Sequence, residues 1–103
     1  MSDPNCIFCK IVNKEIPAEF VYEDDFVIAF PDIHPLTPGH TLLIPKEHYP
    51  WFYDVPREVA NELFAAAQEI ARKLKAEHSA DYIELKIIGI DIPHTHIHLI
   101  PRS

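Results

Sequence analysis

No stretch of this chain approaches the eighteen or so consecutive apolar residues that a membrane-spanning helix requires, and its start lacks the basic-then-apolar pattern of a secretory leader. Insertion into a membrane is therefore not expected, and the cytoplasm is the expected compartment. Positive charge is scarce as well: nine Lys and Arg stand against 16 Asp and Glu, a formal charge of -7 with neutral histidines. That balance excludes an extended nucleic-acid surface, which needs clustered Lys and Arg. It leaves room for an anionic small molecule held by a local patch of donors, and a row of histidines followed by Arg102 is the candidate patch. Cysteine occurs only at Cys6 and Cys9, in a C-x-x-C. Without a leader a structural disulfide is not expected, which leaves metal binding or redox chemistry. What is present, 48% apolar and 24% charged over 103 residues, suits one soluble folded unit and is too short for two independent cores.

Ile7, Phe8, Ile11 and Val12 recur at near-helical spacing, so Cys6 to Asn13 reads as a short helix that ends before Ile16-Pro17. Phe20 to Glu23 and Phe26 to Phe30 read as the arms of an antiparallel hairpin around Asp24-Asp25. Pro31 to His40 holds three of the ten prolines and one of the two glycines, which predicts an ordered, irregular loop of the kind that carries binding groups. Thr41 to Ile44 reads as a buried strand stopped by Pro45, followed by a polar and aromatic connection. From Pro56 to His78 the period changes. Val59, Leu63, Ala67, Ile70 and Leu74 recur at steps of three or four, widened by Ala60, Phe64 and Ala71 and opposed by Glu58, Glu62, Glu69, Arg72 and Lys73, which predicts a long amphipathic helix. Tyr82 to Ile88 reads as a further strand, and residues 89–93 turn the chain into the last one. The sum is an α+β protein: an antiparallel sheet of about five strands, covered on one face by one long helix, with a short N-terminal helix. A single domain over residues 1–103 is expected.

The last strand is where the chemistry concentrates. In His94-Thr95-His96-Ile97-His98-Leu99-Ile100 the histidines stand two apart, so an extended backbone sets all three on one face and turns Thr95, Ile97 and Leu99 to the other. Core packing does not call for three imidazoles side by side, whereas metal binding, nucleophilic catalysis and proton transfer near neutral pH all use them. The spacing alone leaves metal and phosphate chemistry both open.

Pro93-His94-Thr95-His96-Ile97-His98-Leu99-Ile100-Pro101-Arg102 resembles the signature of the histidine triad (HIT) family, which alternates His with apolar residues in this way. The resemblance extends over nearly the whole chain, through Cys6-Ile7-Phe8-Cys9-Lys10-Ile11, Phe30-Pro31-Asp32-Ile33-His34-Pro35, Pro38-Gly39-His40 and Ile44-Pro45-Lys46-Glu47-His48. It implies a HIT-like fold and transfer or hydrolysis at the α-phosphate of a nucleotide, with release of a nucleoside monophosphate, AMP being the expected one. By the same resemblance His96 attacks phosphorus to form a nucleotidyl-imidazole intermediate, His98 and His40 hold the phosphate, Asp32 binds the ribose hydroxyls, and Phe30 and Ile33, with Phe8, wall the base. It further implies a structural zinc ion on Cys6, Cys9, His48 and His94, and a homodimer formed through the long helix and a sheet edge. His34, in the Asp32 loop, reads as an exposed loop residue.

The chain departs from the family pattern just before the row. Many members have a Gln four residues before the first histidine and a Ser, Thr or Glu after that Gln; here those places hold Ile90 and Asp91. An apolar and an acidic side chain beside a phosphate weaken the leaving-group chemistry and motivate an alternative, a nucleotide-binding or sensing protein of low turnover with a structural zinc site.

Overall fold

The computed structural model describes residues 3–88 and 92–103. Ile90 and Asp91, and the turn read at Gly89, therefore lie outside the described residues. Within them the chain forms α1 (Ile7–Val12), β1 (Tyr22–Glu23), β2 (Val27–Pro31), β3 (Thr41–Pro45), a single 3-10 turn (Phe52–Asp54), α2 (Arg57–His78), β4 (Tyr82–Ile87) and β5 (Ile97–Arg102). The strands make one antiparallel sheet in the order β1-β2-β3-β5-β4. The architecture is thus the α+β one that periodicity predicts, five strands with one long and one short helix.

Strand alternation sorts the core into two layers. Val27 and Ala29 of β2, Leu43 of β3, and Ile97 and Leu99 of β5 face α2, which buries Leu63, Ala66, Ala67, Ile70 and Leu74 against them. The intervening residues, Ile28, Phe30, Leu42 and Ile44, face the other way and pack with Cys6, Phe8, Cys9 and Ile11 around α1. α2 begins after Pro56 and ends at Ser79, whose left-handed backbone (φ 50°) returns its N–H to the Lys75 carbonyl. Glu58 near its start and Lys75 and His78 near its end complement the helix dipole.

Three expectations shift. The hairpin arms are β1 Tyr22–Glu23 and β2 Val27–Pro31; Asp24 Oδ1 accepts from the N–H groups of Phe26 and Val27, which keeps Phe26 in the turn and starts β2 at Val27. Phe64 stands 44% exposed and does not widen the buried stripe: it lies about 100° round the helix from Leu63, beyond the sheet. The last strand starts at Ile97, not His94. Pro45 has no N–H with which to extend the ladder. Thr95 instead sends both its N–H and its hydroxyl to the Tyr49 carbonyl, each at 2.7 Å.

Candidate active site and metal centre

The three histidines still share a face. His98 sits in β5 opposite Leu42 of β3, on the layer under α1. His94 and His96 continue the alternation in the stretch just before it, with the Phe8 ring 5.7 Å from His94 and 5.1 Å from His96, and His96 5.0 Å from His98. His94 is wholly buried and His96 6% exposed. Each ring meets different main-chain groups, and these assign its proton.

His94 Nε2 lies 2.9 Å from the Pro45 carbonyl, which can only accept. The proton is therefore on Nε2, and the Nδ1 lone pair points at sulfur, 3.2 Å from Cys6 Sγ and 3.5 Å from Cys9 Sγ. His48, from the connection after β3, brings its Nδ1 to 3.3 Å from Cys9 Sγ. The four ligand atoms lie within 4.8 Å of one another. A tetrahedral ion with bonds of about 2.3 Å to sulfur and about 2.0 Å to nitrogen has S···N edges of about 3.5 Å, so the four residues fit a metal. Both cysteines are free of a disulfide. Cys6 also caps α1, accepting from the Cys9 N–H. Burial lowers the His94 pKa to about 4, which keeps the ring uncharged and able to ligate at neutral pH. Burial also raises the Cys9 thiol to about 11, a preference that a bound cation's charge reverses.

His96 is the opposite tautomer. Its Nδ1 donates to the His94 carbonyl at 2.8 Å, which leaves the lone pair of the uncharged ring on Nε2. His40 is fixed by the loop before β3: the Leu36 N–H donates to its Nδ1 at 3.1 Å, so Nε2 carries the proton and donates to His98 Nδ1 at 2.9 Å. His98 is left with Nε2–H as its donor. Asp32 Oδ2 stands 3.4 Å from His40 Nε2 and 4.0 Å from His98 Nδ1, while its Oδ1 accepts from the His34 N–H. Asp32, His40 and His98 also bring three ligand-type atoms together. In the metal-free arrangement the His40 Nε2–H links them as a hydrogen-bonded relay. Burial lowers the pKa of both His40 and His98.

A cavity of about 710 Å³ opens beside this relay, lined by Phe30, Asp32, Ile33, His96 and His98, with Ile7, Phe8, Ile11, Ile16 and Leu42 adding apolar wall and the exposed Glu19 and His34 contributing polar groups. Its volume is that of a small-molecule site. His40 lies behind His98 and is outside the lining. Sequence reasoning did not foresee Ile7, Ile11, Ile16 or Leu42, whose apolar spacing reads equally as core. Arg102, expected to extend the anion patch, instead donates from Nε to Glu84 Oε1 at 2.8 Å, at the far end of β5 where it pairs with Tyr82. Acidic Glu84 on the neighbouring strand cancels its charge.

Fold and site together define a class: a small antiparallel-sheet protein with a histidine relay and a Cys2His2 cluster on one face. The sequence model of the HIT domain family matches residues 13–103, and the chain belongs to that family. Cys6 and Cys9 precede the matched segment. An uncharacterized HIT-like protein of Borreliella burgdorferi is 44% identical over 105 residues, covering 95% of this chain and 76% of that one. Adenosine 5'-monophosphoramidase HNT1 of Saccharomyces cerevisiae is 37% identical, covering 97% and 64%, and adenylylsulfatase HINT3 of Arabidopsis thaliana is 37% identical, covering 96% and 53%. Among solved structures, a HIT family member from Bacillus subtilis superposes with a TM-score of 0.91 at 42% identity, covering 95% of this chain and 73% of that one. A Zn-bound histidine triad family protein from Mycobacterium smegmatis does so at 0.88 and 36%, covering 96% and 76%. The family thus includes hydrolases of adenylyl compounds and a zinc-bound member.

Proposed function

We propose that this chain is a nucleotidyl hydrolase or transferase that works at the α-phosphate of a nucleotide and releases a nucleoside monophosphate, AMP. The observation that carries the reading is the pair of opposed tautomers in the cavity wall: a lone pair on His96 Nε2 beside a donor on His98 Nε2. His96 Nε2 attacks phosphorus, the bond to the leaving group breaks with its electron pair, and the leaving group takes a proton from water. Water then displaces His96 from the nucleotidyl-imidazole, returning the free ring and the monophosphate. A covalent intermediate divides one hard displacement into two easier ones. His98 Nε2–H donates to a non-bridging phosphate oxygen as charge builds there, and the relay from Leu36 through His40 keeps that proton in place. Phe30 and Ile33 hold the base and Asp32 accepts from the ribose hydroxyls. Two relatives whose names specify a phosphoramidate and an adenylyl sulfate as substrates support AMP as the common product.

Zinc is the proposed ion on Cys6, Cys9, His48 and His94, since a borderline-soft cation favours two thiolates and two imidazoles in a closed tetrahedral set. Its part is structural, and the reaction proceeds on imidazoles alone. A single domain, a homodimer and a cytoplasmic location complete the reading; two free thiols suit a reducing compartment, and no described helix is long and apolar enough to cross a membrane. Incubation with adenosine 5'-phosphoramidate and with adenylyl sulfate, following AMP, tests the activity. Release no faster than that of His96→Ala on either compound refutes it. A second reading, nucleotide binding with little turnover, is favoured by Ile90 and Asp91 and predicts tight AMP binding with Ile90→Gln raising the rate.

A further inference from the structure

Asp3 meets the Cys6–Cys9–His48–His94 cluster at two points. Its main-chain N–H donates to Cys9 Sγ at 3.4 Å, and its carboxylate Oδ2 stands 3.7 Å from His48 Nε2. That nitrogen is the one left carrying a proton when His48 Nδ1, on the sulfur side, turns its lone pair to an ion. The residue is wound into this position by its own turn. Asp3 Oδ1 accepts from the Asn5 N–H at 2.9 Å, and the Asp3 carbonyl accepts from the Cys6 N–H at 3.1 Å, so the turn ends on the first ligand.

Ligating imidazoles are ordinarily oriented by a partner on their second nitrogen, and loss of that partner typically weakens metal binding about 10–100-fold. The two histidines here differ in where that partner comes from. His94 takes a main-chain carbonyl, that of Pro45, which no substitution removes. His48 faces a side chain on a turn some 45 positions earlier in the chain, a spacing read directly from the two residue numbers. An N–H directed at thiolate sulfur also disperses its charge, and a carboxylate on the far side of the ring raises the basicity of the ligating nitrogen.

We infer that Asp3 is the positioning residue of the metal centre: its carboxylate orients His48 for a divalent ion and its amide supports the Cys9 thiolate. The inference deepens the metal reading and rests on it. It gives the extreme N-terminal turn a role in ion affinity that the C-x-x-C motif alone does not convey.

The test titrates the metal-free full chain with Co²⁺ and Zn²⁺ against a chelator of known affinity. The ligand-field bands of Co²⁺ report tetrahedral thiolate coordination independently of any enzymatic activity. A wild-type chain that takes up neither ion overturns the metal centre, and this inference with it. With wild-type binding in hand, Asp3→Ala and Asp3→Asn are each expected to weaken affinity about 10–100-fold with unchanged circular dichroism of the metal-free form. Asp3→Asn keeps a side-chain oxygen for the Asn5 N–H, so it separates the charge from the turn and carries the test if Asp3→Ala does not fold. Affinity of Asp3→Asn within twofold of wild type overturns the inference. In a His48→Ala background the Asp3→Asn change is expected to be nearly silent, and a full tenfold loss there overturns the route through His48.

Discussion

The Cys2His2 cluster and the cavity draw on one row of alternating histidines, yet His94 and His96 turn opposite nitrogens toward them. At His94 the proton is on Nε2 and the bare Nδ1 meets sulfur; two residues on, His96 carries its proton on Nδ1 and keeps Nε2 bare. The residue type is the same and the spacing regular. What separates them is which main-chain carbonyl each ring reaches, Pro45 for one and His94 for the other. A backbone oxygen therefore decides which nitrogen each ring turns outward, toward the cysteine sulfurs for His94 and toward the cavity for His96.

The strongest way to break the comparison is to remove one nitrogen and read both sites. His96→Ala is expected to lower AMP release by about 10³-fold or more, the scale of losing a covalent nucleophile, while metal uptake, measured by Co²⁺ absorption, stays at wild-type stoichiometry. Loss of both together shows that the sites are one. The converse experiment strips the metal. An ion present at about a thousand times its Kd contributes about 4 kcal/mol, which at about 4–8 °C per kcal/mol predicts a Tm drop of roughly 15 °C or more on chelation; a scan with no shift refutes a structural metal.

Proton linkage sharpens the contrast further in the metal-free chain. The folded state holds His94 near pKa 4 against an unfolded value of about 6.5, so between these pH values the unfolded chain binds more protons. Stability is then fully present above about pH 6.5 and falls as pH drops toward 4, by about 3 kcal/mol in all, and lowered His40 and His98 add in the same direction. Cys9 acts at the other end. Its pKa is raised from 9.0 to about 11, so its contribution is present below 9 and lost as pH rises through 11. Urea midpoints at about pH 4.5, 7.5 and 10.5 are expected to peak in the middle, and a flat profile contradicts the assignment.

The smallest effect probes the relay alone. Gly39 has φ +89°, and a Cβ there would lie 2.4 Å from His78 Nε2. Gly39→Ala is expected to cost about 1–2 kcal/mol for the backbone alone, and the exposed His78 ring must swing aside. Adding His78→Ala removes the contact but not the backbone cost, so most of the loss in urea midpoint should persist. Because Gly39 adjoins His40, AMP affinity should fall in Gly39→Ala while metal affinity does not.

Much of the fold was legible because burial is written in period. The α2 stripe at Leu63, Ala67, Ile70 and Leu74 and the alternation of Ile97 and Leu99 follow from the faces those residues must hide. Phe64 shows the limit: apolar type does not say how wide a face the sheet offers. At the candidate site, spacing alone singled out the histidine row and the C-x-x-C, while the remaining residues and the separate roles came from the resemblance to the HIT family. The deciding contacts are the Pro45 and His94 carbonyls and the Leu36 N–H, groups that every residue but proline's missing donor supplies and that leave no mark on the sequence. The pairing of Arg102 with Glu84 was hidden for a related reason, since strand order sets it.

That strand order has a kinetic meaning. β5 lies between β3 and β4, although it follows both in the chain, so the sheet's interior gap closes only when residues 97–102 enter it. Cys6 and His94, 88 positions apart, are also brought into contact. Joining such distant segments is the slow part of folding, because chain entropy is lost before contacts compensate. Mutations in β5 should therefore slow folding more than equal lesions in the β2–β3 hairpin, and an ion waiting on Cys6 and Cys9 would act as a latch on the last step.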